Sequence, residues 1–261
     1  MDRENRRHLS LNADLGESFG AWQMGDDRQI LPLVTTANVA CGFHAGDPLV
    51  MRHSLRLARQ HGVSIGAHPS FPDLQGFGRR KMTIQPDELE AIILYQIGAL
   101  SGLARAEKIE VTHVKPHGAL SNMACADIII AETVARAVRA HDSQLILLAP
   151  ALSPLAAAGL AAGLRVVTEI FADRAYLDDG QLMPRNRAGA VIHDPVMAEA
   201  HVASMLREGA IISHSGKRLP TSIGSVCVHG DGAEAVEMAR HLRRSLEQQA
   251  YQLVGLPSLF L

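Results

Sequence analysis

Asn38-Val39-Ala40-Cys41-Gly42-Phe43-His44-Ala45-Gly46-Asp47 is the stretch whose reading decides the fold. It begins as an apolar strand, breaks at Gly42 and presents His44. It breaks again at Gly46 and offers Asp47 ahead of Pro48, where a helix-like run to about Arg59 begins. A buried strand that ends in glycines, a histidine and an aspartate before turning into a helix is how α/β proteins place reactive groups at the carboxyl ends of parallel strands. Pro48 suits the first turn of that helix, and Gly62 suits its end.

The same unit recurs on both sides. His8 to Asp14 reads as a first strand that runs into Asn12-Ala13-Asp14-Leu15-Gly16-Glu17, and strand alternation puts Asn12 and Asp14 on one face. Asp26 or Asp27 can cap a short helix through Leu33. Further strands are expected at 63–67, 111–116, 145–149, 165–171 and 225–228. Helices are expected at 86–105, 126–140, 153–163 and 195–207 and in the alanine-rich run to about Gln249, with a hairpin around Gly216-Lys217. Residues 118–122 read as loop. Alternation without linker or repeat means parallel strands with crossover helices. About seven such units make one domain over residues 1–261, a distorted (β/α) TIM-like barrel of the α/β class rather than an open sheet. Two long polar loops stand out, 68–80 and 172–185, and the aromatics and arginines of the first suggest an ordered lid.

Hydrophobic residues make up 47% of the chain, enough for a sizeable core, and a formal net charge of −2 offers no surface for nucleic acid or an anionic membrane. Arg3, Arg6 and Arg7 read as a solvated tail. Cys41, Cys125 and Cys227 are too widely spaced for a disulfide framework or a structural zinc site, so reduced thiols are expected, with Cys41 as core packing. The polar start resembles no signal peptide, and no apolar run approaches the roughly 18 residues of a membrane span. The expectation is a soluble, cytoplasmic protein.

Five expected strand ends carry polar clusters: Asp14/Glu17, His44/Asp47, His68/Asp73, Lys115/His117 and His229/Asp231. A sixth adds Asp173/Arg174. In a barrel these ends converge on one face. Imidazole with carboxylate can be the first shell of a divalent metal or a general acid and base, and the spacing does not choose between them. Pro116 excludes a helical His-x-x-x-His face between His113 and His117. Lys115 shares its strand parity with both, and burial among cations is expected to depress its pKa; the plainer alternative is a salt-bridged barrel lysine. Arg79, Arg80, Arg174 and Arg185 lie in the long loops and could hold a carboxylate or phosphate. Neither a Walker A motif nor a Gly-x-Ser-x-Gly elbow is present.

The motifs as a set resemble the LamB/YcsF family. They are Asn12 to Glu17, Asn38 to Asp47, Gly66-Ala67-His68-Pro69-Ser70, Pro72-Asp73, Gly76-Phe77-Gly78-Arg79-Arg80, Val114-Lys115-Pro116-His117-Gly118-Ala119-Leu120, Phe171-Ala172-Asp173-Arg174 with Tyr176, and Val228-His229-Gly230-Asp231. The resemblance runs from about Leu9 to Leu253. It implies a barrel similar to the glycoside hydrolase and deacetylase group. It also implies ATP-dependent hydrolysis of the lactam 5-oxo-L-proline to L-glutamate, ADP and phosphate, with ATP as co-substrate and two further subunits, B and C, as partners.

On this reading Asp14, Glu17, His44, His68, Lys115 and His117 are the catalytic candidates. Asp14 or Glu17 would be the base for water, assisted by His44 or His68, and Lys115 with His117 would steady charge on oxygen. Asp47, Arg79, Asp173, Arg174, His229 and Asp231 are the substrate-binding candidates. Two positions depart from the family: Ser121 stands where a tyrosine is usual, and Gly232-Ala233-Glu234 where Thr-Pro-Gly is usual. The rival readings are a stand-alone metal-dependent hydrolase with Asp14, His44 and His68 as ligands to a divalent metal, and a non-catalytic regulatory component that binds a small ligand.

Overall fold

Nine residues, Arg7–Leu15, form β1, and every one after the first two is buried. The strand has two faces. Leu9, Leu11 and Leu15 point outward into apolar core, whereas Ser10, Asn12 and Asp14 belong to a polar interior. The other strands are β2 (Thr36–Ala40), β3 (Ser64–His68), β4 (Val111–Val114), β5 (Ile146–Pro150) and β6 (Arg165–Phe171). Beyond an antiparallel hairpin of β7 (Ala210–Ile212) and β8 (Arg218–Pro220) comes β9 (Ser225–Val228). Strands β1 to β6 pair in order, all parallel, and β9 pairs with both β6 and β1. The result is a closed barrel of seven strands, as the alternation predicted. The computed structural model describes residues 7–230 and 234–261, so Asp231, Gly232 and Ala233, and Arg3 and Arg6 of the basic tail, lie outside the described residues.

The helices are α1 (Asp27–Ile30), α2 (Pro48–Gln60), α3 (Pro86–Ala106), α4 (Gly118–Ala124), α5 (Ile128–His141), α6 (Pro154–Ala161), α7 (Pro195–Glu208) and α8 (Ala235–Gln248). Four of them start on proline, whose missing N–H is no loss in a first turn. Asp47, Ser153 and Asp194 cap three of these through their side chains. Two expectations need correcting. Residues 118–122 are not loop but most of α4, which starts where the Ala119 amide bonds the Gly78 carbonyl. A further strand, β10 (Tyr251–Leu253), lies parallel to the start of β1; three residues carry too little periodicity to be read from sequence. No single described helix is long and apolar enough to cross a membrane.

The barrel interior is threaded by hydrogen bonds. Ser10 and Thr36, then Thr36 and Ser64, join through their hydroxyls at 2.9 Å each. One layer up, the Asn12 amide donates to Ser225 Oγ and Glu169 Oε2, and the Asn38 amide donates to Asn12 Oδ1 and Asp14 Oδ1. His113 Nε2 meets Asn38 Oδ1 at 3.0 Å. The imidazole of His113 reaches that partner by lying across Gly66, whose missing side chain makes room: a Cβ there would stand 2.1 Å from His113 Cδ2. The apolar core lies instead between barrel and helices, where Leu11, Val39, Ile65 and Val114 face residues such as Leu55, Ile93, Ile97 and Val134.

Gly66→Ala should therefore force His113 off Asn38 and destabilise the fold by about 1–3 kcal/mol, the usual range for overpacking a filled core. Urea unfolding followed by circular dichroism measures it. An unchanged midpoint would mean that His113 moves aside freely.

Candidate functional site

Lys115 stands one residue beyond β4 and is buried. Its Nζ donates to Asp14 Oδ1 at 3.0 Å and Asn12 Oδ1 at 3.2 Å, and lies 3.1 Å from Glu169 Oε2 and 3.0 Å from Cys227 Sγ. Burial works against its charge, but Asp14 above all, with Cys227 and Glu169, outweighs burial and holds the ammonium well above the ordinary lysine range. This corrects the expectation of a depressed pKa: the neighbours that count are carboxylates, and His113 points away to Asn38. Burial also opposes ionisation of Asp14, yet His68 and Lys115 keep its carboxyl well below the usual range. Glu169 moves the other way, raised by burial and by the Asp14 charge, and its Oε1 has no hydrogen-bond partner. One lysine thus faces two unequal carboxylates, one shifted down and one shifted up from the ordinary range.

Beside this triad lie three histidines. His68 Nδ1 donates to the Lys115 carbonyl at 2.6 Å, and His117 Nε2 donates to the Phe77 carbonyl at 2.9 Å. The free edges of those rings meet, with His117 Nδ1 3.0 Å from His68 Nε2. His44 stacks on His117 with ring centroids 3.8 Å apart. Glu17 Oε1 is 3.2 Å from His44 Nε2 and 3.4 Å from His117 Nδ1. Burial first, and neighbouring histidines next, push His44 and His117 well below the ordinary histidine range. Glu17, His44, His68 and His117, all buried, bring one ligand atom each within 4.8 Å of one another, and the group could hold a metal ion. The sequence reading puts Asp14 in that set; its Oδ2 is 3.4 Å from His68 Nε2, but the clustered group takes Glu17 and His117 instead.

The loop between β3 and α3 walls this cluster. Phe77 lies edge-on to His44 and to His117. The loop holds its shape through Asp73, which accepts from the Gly76 amide and from the Arg80 guanidinium. Asp73 and Arg80 therefore serve the loop itself, while Arg79 stacks over Phe77 and lines the cavity. Asp47 is likewise structural, for its carboxylate caps α2 and accepts from Gly20 at 2.7 Å.

The cavity has a volume of about 710 Å³. Asp14, His68, Lys115, His117 and His229 line it, with the cations Arg79, Lys81, Arg174 and Arg185. Arg174 is buried and lowered to about 10 by burial and by Arg185, and it bonds the Met183 carbonyl at 2.7 Å. His229 Nδ1 pairs with Asp173 Oδ2 at 2.7 Å, which leaves Nε2 as the other edge of a cavity-lining ring. Burial opposes the Asp173 charge, but His229 holds its carboxyl below the usual range. Ser121 also lines the cavity. Sequence reasoning missed Glu169 and Cys227. The signal for Glu169 was a charged residue inside the apolar run Val166-Val167-Thr168-Glu169-Ile170-Phe171; for Cys227 there was none.

The LamB/YcsF family model matches residues 9–259. A protein from Azoarcus sp. (strain BH72), described as the A component of 5-oxoprolinase, is 60% identical over 251 residues, covering 96% of this chain and 98% of its own length. The crystal structure of a lactam utilization protein from Thermus thermophilus matches with a TM-score of 0.90 at 45% identity, over 95% of this chain and 100% of that one. A peptidoglycan deacetylase from Bacillus subtilis matches with a TM-score of 0.51 at 11% identity, over 98% of this chain and 91% of its own; that likeness is one of fold.

Acid should unfold this protein partly through His113, which burial pushes down to about 3. Between about 6.5 and 3 the unfolded chain binds a proton at this ring that the folded chain refuses, so stability falls with falling pH, by up to about 1.4 kcal/mol per pH unit. Urea midpoints at pH 7, 6 and 5 test this, and His113→Gln should flatten the slope. A slope unchanged in the variant would mean that other groups carry the acid sensitivity.

Proposed function

Because the chain belongs to the LamB/YcsF family, we propose that it is the A component of an ATP-dependent 5-oxoprolinase, a hydrolase that opens the lactam of 5-oxo-L-proline to L-glutamate in company with subunits B and C. The observation that carries this reading is 60% identity, over nearly the whole chain, to a protein described as that component of 5-oxoprolinase.

A lactam carbonyl is a poor electrophile because the ring nitrogen feeds electrons into it. Transfer of the γ-phosphoryl group of ATP to the amide oxygen removes that protection and releases ADP. Water then adds to the carbon, the carbon–nitrogen bond breaks as the ring nitrogen takes a proton, and γ-glutamyl phosphate results; a second water releases phosphate. In this reading the lactam sits against Lys115, whose ammonium stays charged and steadies negative charge on oxygen. Asp14 is too weak a base to activate water, since its carboxyl is held well below the usual range; its task is to fix Lys115. His229, oriented by Asp173 as a carboxylate orients a catalytic imidazole, takes the proton from water and passes it to the ring nitrogen. Arg79 or Arg174 holds the substrate carboxylate. The cavity of about 710 Å³ is larger than a lactam carboxylate needs and has room for its phosphorylated form. Ser121 is part of the cavity wall.

Glutamate release from 5-oxoproline and ATP is the assay, with the chain alone and with subunits B and C. Activity should require the full mixture. Within it, His229→Gln should lower kcat by about 10²–10⁴-fold and Lys115→Met by about 10²–10³-fold or more, with assembly intact. An assembled mixture that makes no glutamate overturns the proposed activity. Near-normal turnover in both variants overturns the assigned roles.

A further inference from the structure

The tautomers of two buried histidines are set by backbone. His68 spends its Nδ1 proton on the Lys115 carbonyl, and His117 spends its Nε2 proton on the Phe77 carbonyl. A neutral imidazole has only one N–H, so His68 Nε2 and His117 Nδ1 are both lone pairs. They face each other at 3.0 Å. Two more acceptors close on the same spot: Glu17 Oε1, 3.4 Å from His117 Nδ1, and Asp14 Oδ2, 3.4 Å from His68 Nε2. Converging lone pairs in a buried place repel one another unless a cation stands among them.

We propose that Glu17, His44, His68 and His117 bind one divalent first-row transition metal ion of the Zn²⁺ type. The ligands are His68 Nε2, His117 Nδ1, Glu17 Oε1 and His44 Nε2. Three nitrogens and one carboxylate oxygen suit such an ion and do not suit Mg²⁺ or Ca²⁺, which prefer all-oxygen shells. Bond lengths of about 2.0–2.1 Å in a tetrahedron put neighbouring ligand atoms about 3.3 Å apart. The separations here are 3.0 Å for His68 to His117, 3.4 Å for His117 to Glu17 and 3.2 Å for His44 to Glu17. A metal-binding imidazole ordinarily donates its second nitrogen to a carbonyl or carboxylate, and the Lys115 and Phe77 carbonyls already fill that role. His44 lacks such support, for its buried Nδ1 has no partner, so it is the weakest of the four ligands. Asp14 stands outside the four whose ligand atoms lie within 4.8 Å of one another, and its Oδ1 is held by Lys115 and Asn38. The site owes nothing to the lactam reading.

The test is titration of the full-length, chelator-treated chain with Co²⁺, followed by its visible absorption, and with Zn²⁺ by calorimetry. One equivalent of each per chain is expected, with the intense visible bands of four-coordinate cobalt that Zn²⁺ abolishes. His68→Gln and His117→Gln should each weaken binding by about 100-fold or more, and His44→Gln by less. Asp14→Asn should keep the stoichiometry. Circular dichroism establishes that each variant is folded. Zn²⁺ should raise the Tm of the parent chain and leave that of the His68→Gln/His117→Gln double variant unmoved. No saturable binding to the folded parent chain, or undiminished binding in the double variant, overturns the proposal. So does a histidine NMR signal of one proton shared between His68 and His117 in a chain that takes up no metal. Because the readout is binding, a failed oxoprolinase assay leaves this outcome standing.

Discussion

The ammonium of Lys115 is buried, and the rest of the barrel interior is arranged around that charge. A lone cation there would be prohibitive in cost, so Asp14 and Glu169 approach it from β1 and β6, and Asn12 completes the shell. Those partners need partners in turn. Asn38 holds Asp14 and Asn12, His113 holds Asn38, and Ser225 with Asn12 anchors the lower part of the network. The chain of dependence reaches as far as Gly66, which is glycine because His113 must lie where a side chain would be. Breaking a buried pair of this kind by removing one partner typically costs about 3–5 kcal/mol. The polar groups that line the cavity therefore also hold the barrel in register.

Two long loops supply much of the cavity wall beside α4, and their own side chains brace them. Asp73 and Arg80 tie the first long loop into a closed turn. In the second, the Phe171 amide donates to the Tyr176 hydroxyl, and Arg174 bonds the carbonyls of Met183 and Ala190. Polar groups that looked from sequence like a reserve of ligand-binding arms are thus divided. Arg80 and Asp73 belong to the scaffold, whereas Arg79 and Arg185 line the cavity.

The alternation of strands and helices, the seven-fold closure and the convergence of Asp14, His68, Lys115 and His117 were all legible, because hydrophobic periodicity and strand parity are local properties. Which carboxylate meets which cation was not. Glu169 is 157 residues from Asn12 in sequence, and only closure of β6 onto β9 and β9 onto β1 brings them together. The carboxylates that closure gathers round Lys115, Asp14 first, reversed its expected shift. The division of labour among aspartates was equally hidden. Asp47 and Asp173 both follow the carboxyl end of a strand, but one caps a helix and the other orients His229. Hydrogen-bond direction at histidine rings is set by carbonyls such as that of Phe77, for which no side chain gives a clue.

The first strand waits longest for its neighbours. β2 arrives within a few tens of residues, but β9, which covers the other edge of β1, lies more than two hundred residues further along. Leu256 then packs against Ile146, Leu148 and Val167, closing a small cluster at the end of the strands away from the cavity. During synthesis, β1 to β6 can therefore form an open sheet whose two outer edges carry unpaired amides and carbonyls. Such an edge invites pairing with another nascent chain, and contacts of this sequence separation form slowly. Loss to aggregation is thus governed by how quickly β9 docks between β6 and β1, and crowded ribosomes translating one message are where that loss concentrates.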